Sequence, residues 1–428
     1  MSGLVQRTDT LLTGMGGEAV SDPFTLPAGL SLDGWIEAQK LARSTLDGTT
    51  VELLTRAELQ QQGYWDKAFE GQRKDSRYYE LVDETICPDF EFRYFMLKDS
   101  NGEVRTIQPF FIVEQDVLAG LGARAIAIAA VIRRYWPGFL RLRTLMVGCA
   151  AGEGHLNREH GLSHEVQARW LADALVAQAR KLRARLIVFK EFPTSYRRTL
   201  SSLTDKGFTR LPSLPMTRLK LEHGSFDAYL EGALSKATRK NLRRKFKAAA
   251  QSSPIDMSVV HDISGIVDEI YPLYLQVFDR SKMHFEKLTK DYLCNLGRRM
   301  PDKVRFFVWR QNGKVVAFSL CMLDGDAIYD EYLGLDYTVA LDLHLYHYTF
   351  RDIFGWAVQN GYRWYYSSAL NYDPKLHLRC DLYPLDLYVR HTSSVVNRVM
   401  AIALTWLDPT RADRTLRRFP NYADLHGR

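Results

Sequence analysis

Two stretches of this chain follow the same order of structural signals, and this repetition limits the folds that the chain can adopt. Each begins with an Asn-Gly turn between apolar runs, SNGEVRTIQPFFIVEQD (100–116) and QNGKVVAFSLCMLDGDAIYDEY (311–332), which predicts a β-hairpin. A strand, a long helix and two further strands then follow in both stretches. This pattern predicts an α/β fold duplicated in tandem, and a chance match of two common α/β units is the alternative.

The chain is long enough for two to three domains, since it has 428 residues. Residues 1–45 form a polar lead-in. Residues 46–222 are predicted to form a first α/β domain and residues 223–395 a second, which opens with a basic helix. Residues 396–428 are predicted to form an amphipathic, basic tail.

Positive charge is concentrated in one segment of the chain. The formal net charge is +7, and LSKATRKNLRRKFK (234–247) carries seven Lys or Arg in fourteen positions. If this segment is a helix, Leu242, Phe246 and Ala249 line the face that docks it. The other positions then present cations to solvent or to an anion, and coenzyme A, a phosphorylated substrate, anionic lipid or tRNA would all supply one. A merely solvated helix is the alternative.

The cysteines and the apolar segments help to predict the cellular compartment of the protein. The five cysteines are scattered without redox or zinc spacing, so a reduced cytoplasmic protein with no metal site is predicted. No apolar run is long enough to cross a bilayer. The insertion 116–143 and the tail are apolar on one side and rich in arginine. Each is interpreted either as a core helix with a basic edge or as a segment at the inner face of a membrane.

A glycine-containing junction in the first half is a candidate anion site. In CAAGEGHLNREHGLSHEV (149–166) a strand turns into a helix, where unpaired backbone N–H groups and the helix dipole favour an anion. Gly152, Gly154 and Gly161 are expected to let the backbone approach a ligand. Ser163 is the predicted N-cap, and Arg158 is expected to pair with a phosphate oxygen.

Two of these segments resemble known acyltransferases. Arg158–Ser163 resembles the Arg/Gln-x-x-Gly-x-Gly/Ala loop of GNAT-type acyltransferases, although its last position is Ser instead of Gly or Ala. The segment 234–247 resembles the Ser-Lys-x-x-Arg-x-x-x-Arg helix of FemAB-like N-acyltransferases. The resemblance implies two tandem GNAT-like domains, each a mixed twisted sheet flanked by helices. It also implies that acyl-CoA is the co-substrate and that the first half holds it, through Gly152, Gly154, Arg158, Gly161, Leu162 and Ser163.

Candidate catalytic residues lie just after the strand that precedes the long helix in the first half, and on the matching strand in the second half. Amide formation from a thioester needs a group that takes a proton from the amine. Glu153 and His155 are the leading candidates in the first half, and Glu331 and Tyr332 in the second. In a regular strand Asp330 and Tyr332 would share a face and Glu331 would point away, so only one set would enter a cleft. The predicted substrate-binding residues are Lys236, Arg239, Lys240, Arg243, His347, Lys375 and Arg379.

The resemblance favours an N-acyltransferase that moves an acyl group from acyl-CoA to an amine. Bacterial ceramide synthases resemble the narrower description, in which a long-chain acyl group is moved onto a sphingoid or other lipid-like amine beside an anionic membrane. The alternative is a Fem-type enzyme that moves an aminoacyl group from tRNA to a peptidoglycan precursor. A binding protein that has kept the fold without catalysis is the third interpretation.

Overall fold

A computed structural model describes residues 49–428 except 62, 87–89, 117–129, 132, 136–140, 158–162, 282–284, 407 and 428. The predicted polar lead-in 1–45 and most of the insertion 116–143 therefore lie outside the described residues. So do Arg158, Gly161 and Leu162 of the predicted cofactor loop. Thr49–Arg428 forms one compact unit.

The elements of the first half alternate between strands and helices, as its sequence predicts. They are β1 (Thr50–Leu54), α1 (Arg56–Gln60), α2 (Ser76–Thr85), β2 (Glu91–Lys98), β3 (Val104–Asp116), β4 (Arg141–Val147), α3 (His164–Lys181), β5 (Leu186–Pro193), α4 (Ser201–Asp205), β6 (Thr209–Pro212) and β7 (Met216–Lys220).

The second half begins with two helices and then repeats the alternation. Its elements are α5 (Phe226–Ala233), α6 (Lys236–Ala249), β8 (Ile255–Val260), α7 (Val267–Phe278), α8 (Lys290–Arg299), β9 (Val304–Gln311), β10 (Lys314–Asp324), β11 (Ala327–Leu335), α9 (Leu345–Gln359), β12 (Trp364–Ser367), α10 (Tyr372–His377), β13 (Asp381–Tyr383), β14 (Leu385–His391), α11 (Ser394–Trp406) and α12 (Pro409–Ala412).

The strands form two sheets with the same order. One sheet runs β1-β2-β3-β4-β5-β14-β6, and the other, taken from its β8 edge, runs β8-β9-β10-β11-β12-β7-β13. In each sheet the fourth and fifth strands, β4 with β5 and β11 with β12, are parallel. They are joined by a long helix, α3 or α9, as a parallel pair requires. The predicted fold class, two mixed α/β sheets flanked by helices, is confirmed.

The two halves exchange one strand. β14 pairs with β5 and β6 in the first sheet, whereas β7 pairs with β12 and β13 in the second. Each half thus supplies the sixth strand of the other half's sheet. The domain limits 46–222 and 223–395 stay a prediction, but neither contiguous segment contains all the strands of one sheet.

Local sequence accounts for several elements directly. The predicted hairpins are β2–β3 and β9–β10, and the second turns at Asn312 and Gly313 with φ of 51° and 80°. These positive φ values explain the Asn-Gly pair. Ser163 caps α3, as predicted, by accepting a hydrogen bond from the Val166 N–H. In α6 Leu242 and Ala249 are buried and Phe246 packs on the same core, so the predicted docking face is confirmed.

One hydrophobic core contains side chains from both halves. It includes Met96 and Phe111 from the first sheet and Phe306 and Leu320 from the second. The charged groups that enter this region are therefore held between two sheets. None of the helices in the described ranges is long and apolar enough to cross a membrane.

Candidate active site

An ion cluster lies between the two halves and consists of Arg73, Lys74, Glu153 and Glu331. Arg73 is in the segment before α2, and its guanidinium pairs with the carboxylates of both Glu153 and Glu331. Lys74 Nζ lies 3.0 Å from Glu153 Oε2, and all four side chains are buried. The guanidinium carbon of Arg73 also lies 3.9 Å from the ring centroid of Tyr329. Carboxylates of the two halves are thus joined through one arginine.

A β-bulge sends Glu331 to this cluster. Leu320 pairs with Tyr332 and Cys321 with Asp330, so Glu331 is the extra residue of β11 in this ladder. A bulge re-aims a side chain. Glu331 therefore reaches Arg73 while Tyr332 also faces the shared core, and Asp330 points into the second half towards Ser319 and Tyr365. The expectation that Glu331 and Tyr332 would face opposite ways was wrong, because regular alternation fails at the bulge.

Glu286 and Tyr332 form a second polar group at the interface. The Tyr332 hydroxyl donates a 2.7 Å hydrogen bond to Glu286 Oε1. Burial raises the pKa of Glu286 above its ordinary value, although the positive charge of Lys190 opposes the shift. Lys190 contacts the Glu191 carboxylate at 2.7 Å and lies 4.8 Å from the centroid of the Phe285 ring. Glu286 is half-buried as a residue, and the burial of its carboxyl group makes that group more basic than an exposed glutamate.

In the first half, protein atoms fill the space at the end of β4. The parallel ladder ends at Val147 and Phe189, yet Gly154 N–H donates to Glu191 O at 3.1 Å and holds the following turn against β5. Lys74 and Lys190 donate to the carbonyls of Ala151 and Gly152, each at 3.0 Å. Residues 144–151 are all buried.

The glycines of this turn are explained by protein contacts. A side chain at Gly152 would strike the Lys74 ammonium group, and a Cβ at Gly154 would lie 2.5 Å from Lys190 O. The expectation that Gly152 and Gly154 leave room for a ligand is corrected, because protein atoms take up that space. The phosphate role of Arg158, Gly161 and Leu162, which lie outside the described ranges, stays a prediction.

The matching strand end of the second half is open. The parallel ladder there ends at Asp330 and Ser367, and β11 continues to Leu335. Residues 329–333 are half-buried, with the Glu331 side chain 8% exposed, and Ser368, directly after β12, is exposed. Beyond Asp330, β11 therefore has no ladder partner on its β12 side within the described residues.

The basic helix α6 meets α9 close to this open end. Lys245 Nζ lies 2.6 Å from His347 Nε2, in the first turn of α9. Burial, and then the charge of Lys245, lower the pKa of His347 to about 4, so the imidazole is neutral and accepts from the ammonium group. Cations beside a helix N-terminus favour an anion. The predicted residue His347 is thus placed beside Lys245, which was not predicted.

The other predicted substrate residues separate into three groups. Lys236 and Lys240 are exposed on α6. Arg239 and Arg243 both pair with Glu231, which neutralises part of their charge. Lys375 is buried and donates to Ser368 O, whereas Arg379 is exposed. Burial lowers the pKa of Lys375 to about 8.

The four predicted catalytic residues lie together, but their roles differ. Glu153 and Glu331 are both held by the Arg73 guanidinium, which takes up their carboxylate oxygens. His155 Nε2 lies 3.3 Å from Glu153 Oε1. Cys149, just after the end of β4, is buried, and burial raises the pKa of its thiol.

The sequence interpretation missed Arg73, Lys74 and Glu286. Burial and the neighbouring Arg73 charge lower the pKa of Lys74 to about 7. The paired cations in GQRKDSRYY (71–79) were the only local signal for Arg73 and Lys74. No local signal distinguishes Glu286 from other carboxylates of the chain.

A comparison with protein-family models bears on the second of these two strand ends, that of β11. The model of the acetyltransferase (GNAT) domain matches residues 236–373, from the start of α6 to α10. Residues 236–373 are thus similar to a GNAT domain. The predicted enzyme class, a GNAT-type acyltransferase, is confirmed. This GNAT match covers the half with the open strand end, whereas the sequence analysis placed acyl-CoA in the other half.

Solved structures give similarities at low identity. The C-terminal domain of a protein described as a lysylphosphatidylglycerol synthetase from Agrobacterium fabrum has 14% identity, a TM-score of 0.45, and coverage of 78% of this chain and 94% of that one. FemX has 10% identity, a TM-score of 0.45, and coverage of 78% and 96%. A tandem GNAT protein from the clavulanic acid pathway has 10% identity, a TM-score of 0.41, and coverage of 81% and 99%. No curated protein matches the chain.

Proposed function

We propose that the chain moves an acyl group from acyl-CoA to an amine, with the donor thioester along β11 and the amine in the cleft between the halves. The observation that carries this proposal is the open end of β11, where half-exposed Tyr332 holds Glu286. The corresponding end of β4 is filled by Gly154 and two lysines. A thioester needs an accessible strand edge with N–H donors, and the second half supplies such an edge.

The chemistry assigns one task to each group. The amine must lose a proton before or as its nitrogen attacks the thioester carbon, and Glu286 accepts that proton because burial has raised its pKa. Tyr332 fixes the Glu286 carboxylate through its hydroxyl group. Backbone N–H groups of β11 polarise the thioester oxygen. The carbon–sulfur bond then breaks, and the proton held by Glu286 can return to the thiolate.

The phosphates of the donor are assigned to the junction of α6 and α9. Lys245 and His347 are in contact there, and exposed Lys236 and Lys240 add charge on α6. An ammonium group beside a helix N-terminus suits a pyrophosphate. The first-half loop Arg158–Ser163 is the competing position for the same phosphates.

Aromatic side chains beside Glu286 support a narrower proposal for the substrates. Phe285 lies 5.7 Å from Phe90 and 6.1 Å from Phe111, measured between ring centroids. Phe92 and Phe285 are half-exposed. Apolar rings at the mouth of a polar site favour a long acyl chain or a lipid-like amine, such as a sphingoid base. Peripheral contact with an anionic membrane belongs to the same narrower proposal.

Product analysis tests this proposal. The purified protein is incubated with mixed acyl-CoAs and a cell extract, and N-acyl products are identified by mass spectrometry. We expect amide products that depend on acyl-CoA and are absent with Glu286→Gln. Products that appear only when charged tRNA is supplied would exclude acyl-CoA as the donor.

One observation favours the aminoacyl-tRNA-dependent alternative. Lys236, Lys240, Arg244 and Lys247 are exposed along α6, and such a row of cations can follow an RNA backbone. Under this alternative, transfer to a peptidoglycan precursor would require charged tRNA. Its affinity for the chain would fall steeply between 50 and 200 mM salt, by about tenfold or more.

A further inference from the structure

Helix α11 presents an apolar face to solvent. Its inner side chains Met400 and Leu404 pack on the shared core. On the opposite side Val395 and Val399 are 74% and 65% exposed, and the neighbouring Val396 is 46% exposed. The three exposed valines form a stripe because Val399 follows Val395 by four residues and Val396 by three, and residues three or four apart are neighbours on a helix surface. This stripe is the apolar part of the surface described next.

Backbone contacts place the start of α11 beside the ends of α3, β4 and β5. The Arg180 guanidinium donates to Thr392 O at 2.9 Å, and Thr392 N–H donates to Arg185 O at 2.9 Å. Arg185 N–H in turn donates to Arg143 O at 2.8 Å. Thr392 lies two residues before α11, so these bonds fix the helix at this edge of the first sheet.

The same edge is strongly basic. Its exposed cations are Arg141, Arg180, Lys181, Arg183, Arg185 and Arg398. Within the described ranges none of these six lies within salt-bridge distance of a carboxylate. Two of the carboxylates at this edge are paired with other arginines, Glu91 with Arg143 and Asp116 with Arg133. Crowding of positive charge is also visible at Arg390, whose pKa is lowered by burial and then by Arg180.

We propose that this surface, the valine stripe of α11 with the six surrounding cations, binds peripherally to a bilayer that contains anionic phospholipid. An amphipathic helix lies in the interface with its apolar face in the acyl boundary and its cations at the level of the phosphates. The positive charge of this surface distinguishes between its possible binding partners. A second copy of the chain on the same patch would bring two sets of unpaired cations together, whereas an anionic lipid surface neutralises them.

The insertion of the first half begins and ends at the same edge. β3 ends at Asp116 and β4 begins at Arg141, and these two residues are paired in the ladder. The described insertion residues Val131 and Tyr135 are exposed. The inference rests on the membrane contact of the proposed function and names the surface that would make it. It can fail without the acyl-transfer chemistry failing, since none of its residues belongs to the ion cluster or to the Glu286 pair.

Vesicle sedimentation of the full chain tests the proposal. We expect the chain to sediment with vesicles of phosphatidylglycerol and phosphatidylcholine but not with phosphatidylcholine alone, and to be released by added salt. Arg183→Gln with Arg185→Gln should weaken binding about 25-fold, at about fivefold for each arginine. Val395→Ser with Val399→Ser should weaken binding about tenfold. Matched controls elsewhere, Leu341→Ser and the pair Lys220→Gln with Arg363→Gln, should change binding less than about twofold.

Three results would overturn the proposal. The first is equal sedimentation with neutral and anionic vesicles. The second is a wild-type dimer in sedimentation velocity that Val395→Ser with Val399→Ser converts to a monomer, since the occupant would then be another copy. The third comes from an environment-sensitive dye at Val399→Cys. Its emission should shift to the blue only when anionic vesicles are added, and a blue-shifted emission without vesicles would mean that protein covers the stripe.

Discussion

The ends of β4 and β11 are equivalent in topology but differ in what fills them. Each is the point where two parallel strands separate before a long helix. In the first half the glycine-containing turn after β4 folds back on β5, and Lys74 and Lys190 donate hydrogen bonds to carbonyl groups of this turn. In the second half a bulge turns Glu331 towards Arg73, and the residue after β12, Ser368, is exposed. Within the described residues the two halves thus share a sheet order but differ in what packs at the strand end.

The largest expected effect concerns Arg73, which ties the two strand ends together. Arg73→Met leaves the buried carboxylates of Glu153 and Glu331 without their shared partner. We expect the free energy of unfolding, measured with urea, to fall by about 3–5 kcal/mol. Adding Glu153→Gln and Glu331→Gln to the same variant should recover part of this loss. Arg77→Met, at a more exposed ion pair, should cost about 1 kcal/mol or less, and an equal cost at both arginines would argue against a structural role for the cluster.

The second prediction tests whether Glu286, and not a carboxylate paired with Arg73, is the catalytic base. Glu286→Gln should lower kcat about 100- to 1,000-fold, whereas the KM for acyl-CoA should change little. Glu286 acts when ionised and its pKa is raised, so wild-type activity should fall as the pH drops through a value above the usual 4.5. Removing the nearby negative charge with Glu191→Gln should move this acid limb to lower pH. An acid limb that persists in Glu286→Gln would assign the proton transfer elsewhere.

The third prediction contrasts added bulk at the two strand ends. Gly154→Ala places a Cβ against Lys190 O, so the free energy of unfolding should fall by about 1–3 kcal/mol. Ser368→Trp at the exposed second end should change stability by less than about 0.5 kcal/mol, yet lower kcat/KM for acyl-CoA about tenfold. Thermal unfolding and initial-rate kinetics measure both. Intact kinetics in Ser368→Trp would mean that the donor does not use the open end.

Local patterns were sufficient to predict the fold but only part of the site. Alternating strand and helix signals, the Asn-Gly turns, the Ser163 cap and the docking face of α6 depend on neighbours within a few residues. The exchange of β7 and β14 depends on pairings between distant segments, and sequence adjacency suggested the opposite arrangement. The local patterns therefore predicted two mixed sheets, but not that β14 completes the first sheet and β7 the second.

The site depends on contacts that no local pattern records. Glu153 and Glu331 could be chosen because Glu153 follows β4 and Glu331 lies on the equivalent strand β11. Arg73 and Glu286 lie in irregular segments and gain their roles only when the halves meet. The β-bulge at Glu331 has no signature in the string DEYLG, so the alternation rule misdirected its side chain.

The position of the donor phosphates is the most direct test of the central comparison. We would measure the KM for acyl-CoA in Lys245→Ala and Arg158→Ala, with unfolding curves as controls. The account predicts that Lys245→Ala raises KM about tenfold at nearly unchanged kcat, because a charge-assisted contact to phosphate is lost, while Arg158→Ala leaves KM unchanged. A raised KM in Arg158→Ala with an unaltered KM in Lys245→Ala would return the donor to the first half and contradict the account.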